Sequence, residues 1–243
     1  MGRRIARTAW ISALALFGLS GAELAAPKAG AADPLDVSYY SFFEGWAPDA
    51  HPLDPVPRFL EPRERVPCRA DDVVVYRSRP LRYRVRVHPA FAERLARFET
   101  LVTELAVAHY GRAPRRLVHR GAFSCREARG RRGRISEHAF GNALDLQGFD
   151  FGRLPRGAVA PDGMHRSLRR GFRVRVLTHW SPRRARDARH AAFLHALAEA
   201  VRSRTDVFRG IVGPPRPRHR DHLHLDAAPW RYAMFGYDRA EAE

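Results

Sequence analysis

The sequence of 243 residues contains little cysteine and almost no lysine: there are two cysteines, and Lys28 is the single lysine among 43 basic residues. Neither Cys68 nor Cys125 belongs to a C-x-x-C pair, which argues against a zinc site built from cysteines. No internal repeat is visible, and apolar residues make up 45% of the chain against 28% charged residues. This composition excludes a wholly disordered chain, a membrane protein with several spans and a fibrous repeat protein.

Acidic residues are also scarce relative to basic ones. The 26 aspartates and glutamates leave a formal net charge of +17, and the isoelectric point is about 11.3. Such a strong positive charge favours anionic partners such as nucleic acid, acidic lipid or cell-wall polymer, without deciding among them.

The N-terminus predicts export. Arginines precede an uncharged, mostly apolar segment, 8–22, which is shorter than the roughly 20 residues that span a bilayer. Small residues up to Ala31 form a cleavage site, so residues 1–31 are predicted to be a signal peptide, with no transmembrane span in the mature chain. The alternative is an uncleaved N-terminal anchor.

Export permits disulfide formation. An even number of cysteines in an exported chain predicts one bridge, Cys68–Cys125, and the alternative is two separate buried thiols.

Composition divides the rest of the chain into three parts. Residues 32–65 are predicted to be a proline-rich arm, whose aromatic residues between Tyr39 and Trp46 are expected to pack it against the domain rather than to bind a partner. Residues 66–228 form the predicted domain, and residues 229–243 form a C-terminal tail.

Apolar periodicity predicts a mixture of strands and helices. An apolar stripe at three- and four-residue steps follows Pro89 and predicts a helix that Gly111 ends, and Asp187 is the predicted N-cap of a helix that extends to about Arg202. Strands are predicted at 73–76, 81–87, 116–123, 143–149, 172–178, 208–212 and 222–226. Because strands and helices do not alternate regularly, the expected fold is α+β, with a small, mainly antiparallel sheet and flanking helices.

A first polar cluster lies in HRDHLHLD (219–226). On a strand, His222 and His224 share one face with Asp226, whereas the two leucines share the other face. The leucines are therefore expected in the core, with the histidines emerging together. His219 and Asp226 are candidates for residues that do not bind the metal but orient a metal-binding side chain, which for Asp226 is His224.

A second polar cluster is SEHAFGNALD (136–145). Gly141 argues against a continuous helix, so a strand is predicted to start at Ala143 and to present Asp145 on its polar face. His138 precedes this turn and could reach the same point. Imidazole and carboxylate ligands suit Zn²⁺, and three protein ligands with one open position make a catalytic site.

Each cluster alone is a weak signal, because a lone histidine near a strand is usually a hydrogen-bonded polar residue without a ligand. The two clusters together predict a metal site. The loop 126–134, which lies between the predicted strand 116–123 and the cluster at 136–145, is rich in arginine. This composition is typical of a mobile solvated loop, and the position of the loop also allows a role in substrate binding.

The same motifs resemble a known superfamily. The pattern S-x-H-x-x-G-x-A-x-D at 136–145, followed far downstream by H-x-H at 222–224, resembles the zinc D-Ala-D-Ala carboxypeptidases and murein endopeptidases. More narrowly, the chain resembles the bacterial extensin-like C-terminal domain family in several strings: GAFSCR (121–126), SEHAFGNALDLQGF (136–149), FL (193–194) and HRDHLHLD (219–226). The resemblance covers about residues 66–228 and implies a fold of the D-Ala-D-Ala carboxypeptidase (hedgehog-like) type.

The resemblance implies roles for particular residues. His138, Asp145 and His224 match the zinc ligands of the superfamily, and Arg126 matches an arginine that holds the substrate.

The catalytic base is open between two residues. Many members of the superfamily use a glutamate three residues before the last zinc histidine, and this chain has Asp221 there; others use the first histidine of H-x-H, which is His222. On a regular strand His222 faces the metal side and Asp221 does not, which favours His222.

These observations predict an exported zinc-dependent hydrolase of peptidoglycan peptide amide bonds in the periplasm or cell envelope, with peptidoglycan or another anionic envelope polymer as its partner. One alternative is a non-catalytic cell-wall-binding or structural module on the same fold. Another is a nucleic-acid-binding protein or metal nuclease, which the charge favours but which export and the lack of an evident aromatic-and-arginine stacking platform disfavour. No specific nucleic-acid partner is therefore expected.

Overall fold

The structure is a computed structural model that describes residues 39–68 and 70–237. The predicted signal peptide, 1–31, lies outside these ranges. Nine strands lie within them: β1 (Tyr39–Trp46), β2 (Val74–Ser78), β3 (Tyr83–Val87), β4 (Arg116–Gly121), β5 (Ala143–Phe151), β6 (Phe172–Arg175), β7 (Gly210–Val212), β8 (Leu223–Asp226) and β9 (Trp230–Gly236). The α-helices of the same ranges are α1 (Pro89–Tyr110), α2 (Val176–His179) and α3 (Ala188–Ser203). None of them combines the length and hydrophobicity that a bilayer crossing needs.

Seven strands form one sheet. Its order is β1-β9-β7-β8-β5-β4, and β6 also pairs with β5. Neighbouring strands are antiparallel except β7 and β9, which are parallel. Strands β2 and β3 form a separate antiparallel pair. The structure therefore confirms the α+β class with a mainly antiparallel sheet.

The main core is formed by the sheet together with helices α1 and α3. Four leucines of the two polar clusters are fully buried in this core, as their alternation along the strands predicted: Leu144, Leu146, Leu223 and Leu225. Because successive side chains of a strand point to opposite faces, this burial fixes Asp145 and His224 on the other face of the sheet.

Helix α1 begins and ends where the sequence predicted. Pro89 is its first residue, and the His88 imidazole accepts a capping hydrogen bond from the next backbone N–H at 3.2 Å. Gly111 ends the helix at φ 68°, and a Cβ atom there would lie 2.7 Å from a backbone carbonyl oxygen, so both conformation and space require glycine. Helix α3 follows Asp187 as predicted, although the Asp187 side chain makes no capping hydrogen bond.

The predicted strand 172–178 is wrong in its second half. Strand β6 ends at Arg175, and the chain then forms the helical turn α2. The Arg175 N–H donates to Nδ1 of His179 at 2.9 Å, and the indole N–H of Trp180 donates to the Gly236 carbonyl at 2.7 Å. The turn thus buries Trp180, which an extended backbone would carry away from β9.

The segment assigned to a C-terminal tail contains β9, which lies inside the sheet between β1 and β7. Ala233 and Phe235 enter the main core, whereas Tyr232 packs in a smaller cluster with Val212 and Ala228. Both faces of β9 are therefore covered, and its side chains lack the apolar–polar alternation by which a half-exposed strand is recognised.

The arm also contributes to the sheet, through β1. This strand occupies a stretch without proline, between Pro34 and Pro48, and pairs antiparallel with β9 at the end of the sheet. The expectation that the arm's aromatic residues anchor it does not hold for Phe43 and Trp46, which are 66% and 75% exposed. Strand pairing holds this part of the arm instead.

Ion pairs hold the rest of the arm. The buried Arg209 lies 3.1 Å from Asp49 and 2.7 Å from Asp54, and Arg94 contacts Asp49 at 2.5 Å. Charged arm residues therefore meet buried arginines of the domain, and a pattern of apolar residues does not reveal such contacts.

The structure confirms the disulfide Cys68–Cys125, which spans 57 residues of sequence. Replacing both cysteines by serine should lower the free energy of unfolding by about 4 kcal/mol, because the bridge restricts the unfolded chain. Urea denaturation of the mature protein measures this loss. Reduced wild-type protein should unfold at the same urea concentration as the double variant, and equal stability of the oxidised and reduced proteins would contradict the prediction.

Candidate metal centre

Three elements bring together the three residues predicted to bind metal. His138 lies in a 3₁₀ turn, Glu137–Phe140, whereas Asp145 and His224 lie on the adjacent strands β5 and β8. The antiparallel register places Asp145 directly opposite His224. Residues separated by 79 positions in the sequence thus become cross-strand neighbours.

Gly141 allows the chain to pass from this turn into β5. It has φ 65°, and a Cβ atom there would lie 2.7 Å from the backbone nitrogen of His88 and 2.7 Å from a methyl group of Val73. Only glycine fits, so the segment can bring His138 back over the start of the strand.

The donor atoms of the three residues lie close together. His138 Nε2 is 3.1 Å from Asp145 Oδ1 and 3.2 Å from His224 Nδ1, and the last two atoms are 3.1 Å apart. Two ligands bound to zinc at the usual distances and a tetrahedral angle are separated by about 3.3 Å. The donor set and its spacing therefore fit Zn²⁺.

The other nitrogen of each imidazole has a fixed partner. Nδ1 of His138 lies 2.5 Å from the Ala122 carbonyl, and Nε2 of His224 lies 2.9 Å from the carboxylate of Asp226. A carbonyl and a carboxylate only accept, so these nitrogens carry hydrogen, and Nε2 of His138 and Nδ1 of His224 are the ring atoms that face the centre.

Asp226 is itself held in place behind His224. It is 1% exposed, accepts the Tyr232 hydroxyl and accepts the Ala228 N–H at 3.1 Å. Its position next to His224 agrees with the role considered for it from the sequence. Tyr232 was not expected, because its segment was assigned to a tail.

Asp145 and His224 shift each other's pKa. Burial opposes ionisation of Asp145, but hydrogen bonds to His138 and His224 outweigh burial and hold its pKa far below the usual range. Burial likewise disfavours the charged form of His224, but hydrogen bonds to Asp145 and Asp226 raise its pKa to about 10. The centre therefore holds a proton at neutral pH that a metal ion would displace.

The two candidate bases are in contact with each other. Asp221 Oδ1 lies 2.8 Å from His222 Nδ1, and the same carboxylate receives the guanidinium of Arg120 at 2.9 Å. Burial raises the pKa of Asp221, but its bonds to His222 and Arg120 lower it below the usual value. The ionised carboxylate only accepts, so His222 Nδ1 carries hydrogen and Nε2 is free to accept a proton.

His222 Nε2 faces the metal centre. It lies 3.6 Å from Asp145 Oδ1, and the His222 side chain is 7% exposed. The carboxylate of Asp221, by contrast, is occupied by Arg120 and His222. This geometry favours His222 as the base and gives Asp221 the role of orienting it.

Arg126 lies beside the centre rather than in it. Its guanidinium donates to the Glu127 carbonyl at 3.2 Å, and it lines the same cleft, of about 1020 Å³, as the three predicted ligands. Burial and the neighbouring Arg129 lower its pKa, whereas Asp145 raises it. His219 lines the cleft too, with its ring centroid 5.0 Å from that of His222.

A second group of possible ligands consists of His179, Asp187 and His190. His179 Nδ1 accepts a backbone N–H, and His190 Nδ1 is hydrogen-bonded to the Tyr110 hydroxyl at 3.0 Å. Among the described residues, no hydrogen bond or ion pair joins these three side chains to one another. They are less well arranged for a metal ion than His138, Asp145 and His224.

Sequence reasoning missed a buried ion pair next to the centre. Arg58, from the arm, contacts Glu137 at 2.7 Å, and Asn142 donates to the same carboxylate at 2.7 Å. Both charged side chains are at most 4% exposed. The arm thus fixes the turn that carries His138. No pattern in the sequence pointed to Glu137 or to its partner.

An aromatic and arginine platform, which the sequence did not reveal, lines one end of the cleft. The guanidinium of Arg134 lies 4.8 Å above the ring of Trp230, and the ring of Phe43 lies 6.2 Å from the same indole. These residues come from three distant segments, and the pairing of β1 with β9 brings Phe43 beside Trp230. The argument against nucleic acid from a missing platform therefore no longer holds.

Comparison with known proteins agrees with the narrower resemblance. The family model for the extensin-like protein C-terminus matches residues 58–234. No curated protein and no solved structure shows significant similarity to the chain. The match begins inside the segment assigned to the arm and ends inside β9, and it spans most of the chain. The protein therefore belongs to the extensin-like protein C-terminus family.

Proposed function

We propose that this protein is an exported zinc-dependent hydrolase of peptide amide bonds in peptidoglycan, with an architecture of the D-Ala-D-Ala carboxypeptidase type. The observation that carries the proposal is the convergence of three donor atoms, from His138, Asp145 and His224, at 3.1–3.2 Å from one another in the wall of a cleft. The basic surface would keep the protein near an anionic envelope.

The proposed chemistry divides among the residues of the cleft. A zinc ion held by His138, Asp145 and His224 would act as a Lewis acid on a carbonyl oxygen and lower the pKa of water. His222 Nε2 accepts the proton of the attacking water and returns it to the leaving amine nitrogen. Asp221 and Arg120 keep His222 in the required orientation and tautomer.

Arg126 is the proposed anchor for a substrate carboxylate. A guanidinium offers paired N–H donors that match the two oxygens of a carboxylate. Its place on the wall of the cleft, beside the three ligands, allows it to hold a peptide while the amide lies over the centre.

Digestion of purified sacculi and of a defined muropeptide mixture tests this function. Mature wild-type protein with zinc should release peptide products that mass spectrometry identifies, and Asp145→Ala should release none. Asp150→Ala is a matched control on the same strand, since Asp150 pairs with Arg175 and does not line the cleft.

Other outcomes would support a different function. Co-sedimentation of the wild type with sacculi without release of peptides would favour the non-catalytic module. Cleavage of plasmid DNA that is lost in Asp145→Ala would favour a metal nuclease, for which the platform of Arg134 and Trp230 is a specific structural argument.

A further inference from the structure

We propose that the two loops bordering the cleft form a binding site for several carboxylates, so that the ligand is a peptide carrying at least two carboxylates besides the amide over the metal centre. This inference rests on the proposed function and extends it from the reaction to the substrate class.

The first observation is an uncompensated set of arginines. Seven arginines line the cleft, and one of them, Arg120, pairs with Asp221. Across residues 39–68 and 70–237 no aspartate or glutamate forms an ion pair with the other six: Arg126, Arg129, Arg131, Arg134, Arg216 and Arg218. Many other arginines of the protein do have such partners, for example Arg94, Arg175 and Arg209. The cleft therefore concentrates positive charge that the protein itself does not neutralise.

The acidic residues of the cleft do not neutralise these six arginines. Glu137 is paired with the buried Arg58, and Asp145 is engaged by the histidines of the metal centre. Asp226 is engaged by His224 and Tyr232. Every carboxylate that lines the cleft is thus committed to another partner, and a ligand must bring the anions.

The second observation is that backbone hydrogen bonds restrain one of these loops. The ends of the loop 126–134 are joined by a hydrogen bond from Ala128 N–H to the Arg134 carbonyl at 2.7 Å. The arm also supports the loop, through a bond from Leu60 N–H to the Gly133 carbonyl at 2.7 Å. A restrained backbone reduces the conformational entropy that the loop loses when a ligand binds.

The facing loop brings arginines from the opposite side. A Cβ atom at Gly130 would lie 3.2 Å from Nη1 of Arg218, so the two loops approach each other closely. Like charges on facing loops repel unless an anion lies between them. Carboxylates spaced along a peptide can bridge them, whereas a ligand with a single carboxylate leaves most of the arginines without a partner.

Binding of labelled peptides tests this inference separately from catalysis. Fluorescence anisotropy is measured with the His222→Ala variant, which keeps the three metal ligands, and repeated with the wild type at a temperature at which cleavage is slow. The peptides have one sequence with three, two, one or no free carboxylates, the others being amidated. Each carboxylate should strengthen binding severalfold, and raised salt should remove the differences.

Arginine variants locate the effect. Arg131→Gln combined with Arg218→Gln should weaken binding of the tricarboxylate by at least about tenfold and leave binding of the fully amidated peptide and the zinc content unchanged. Arg183→Gln is the control, since Arg183 is exposed and does not line the cleft.

The outcomes are distinct from those for the proposed function. Equal affinity for amidated and carboxylated peptides would overturn the inference even if the wild type hydrolyses them. Carboxylate-dependent binding without hydrolysis by the wild type would support the inference and contradict the hydrolase. Displacement of the tricarboxylate by a DNA oligonucleotide at much lower concentration than by unlabelled peptide would overturn it in favour of phosphate recognition.

Discussion

Replacing His138 by alanine should weaken zinc binding by at least about a thousandfold, because a centre with two remaining protein ligands loses both a strong donor and its tetrahedral arrangement. The His138 ring contributes Nε2 at 3.1 Å from Asp145 and 3.2 Å from His224, and its orientation is fixed by the Ala122 carbonyl. Zinc per chain after dialysis, and competition with a chromophoric chelator, measure the loss.

His179→Ala is the matched control for this experiment, since it removes a histidine from the other group of possible ligands. It should retain zinc with the affinity of the wild type. Loss of zinc in His179→Ala with retention in His138→Ala would move the metal site to His179, Asp187 and His190 and contradict the proposed centre.

The same titration has a pH dependence that follows from His224. Its raised pKa of about 10 means that the metal-free protein holds a proton on this ring at neutral pH. Zinc must displace that proton, so affinity should rise by about tenfold per pH unit between pH 6 and 8, with about one proton released per ion bound. In His138→Ala no such proton release should accompany the addition of zinc.

The metal centre could be anticipated from the sequence because local patterns encode its parts. Leucines alternate with Asp145 on one strand and with His224 on the other, and burial of the leucines determines the direction of the polar residues. Gly141 marks the turn that returns His138 to the strand. Only the register between β5 and β8, which makes Asp145 and His224 neighbours, required the folded structure.

The supporting contacts could not be anticipated in this way. Arg58 and Glu137 are 79 positions apart, and a charged pair buried between two segments leaves no periodic pattern in either. Strand β9 is covered on both faces and its sequence does not alternate between apolar and polar residues, so no pattern identifies it as a strand. Because β9 was not predicted, its segment was assigned to a tail, and the pairing of β1 with it was missed. Trp230 and Tyr232 lie on β9 and were missed for the same reason.

The buried pair Arg58–Glu137 also connects the arm to the chemistry. Arg58 donates to the Leu53 carbonyl at 2.7 Å, and its guanidinium lies 4.6 Å above the ring of Phe140. It thus holds both ends of the turn that carries His138, while the next arm residues hold the arginine loop through Gly133. The arm is a structural part of the cleft, which agrees with a family match that begins at residue 58.

Replacing His222 by alanine should lower kcat for muropeptide hydrolysis by about 10²–10⁴-fold while leaving zinc content unchanged, because the variant loses the proton acceptor but none of the three proposed ligands. Steady-state kinetics across pH, together with zinc analysis, measure both effects.

Asp221→Asn separates the two candidate bases. The asparagine can still contact His222 but no longer stabilises the charged imidazole, so kcat should fall less than in His222→Ala. Arg120→Gln, which removes the other partner of Asp221, should have a smaller effect than either. If Asp221→Asn abolishes turnover while His222→Ala retains most of it, Asp221 is the base, and its bond to Arg120 must break before the substrate reacts.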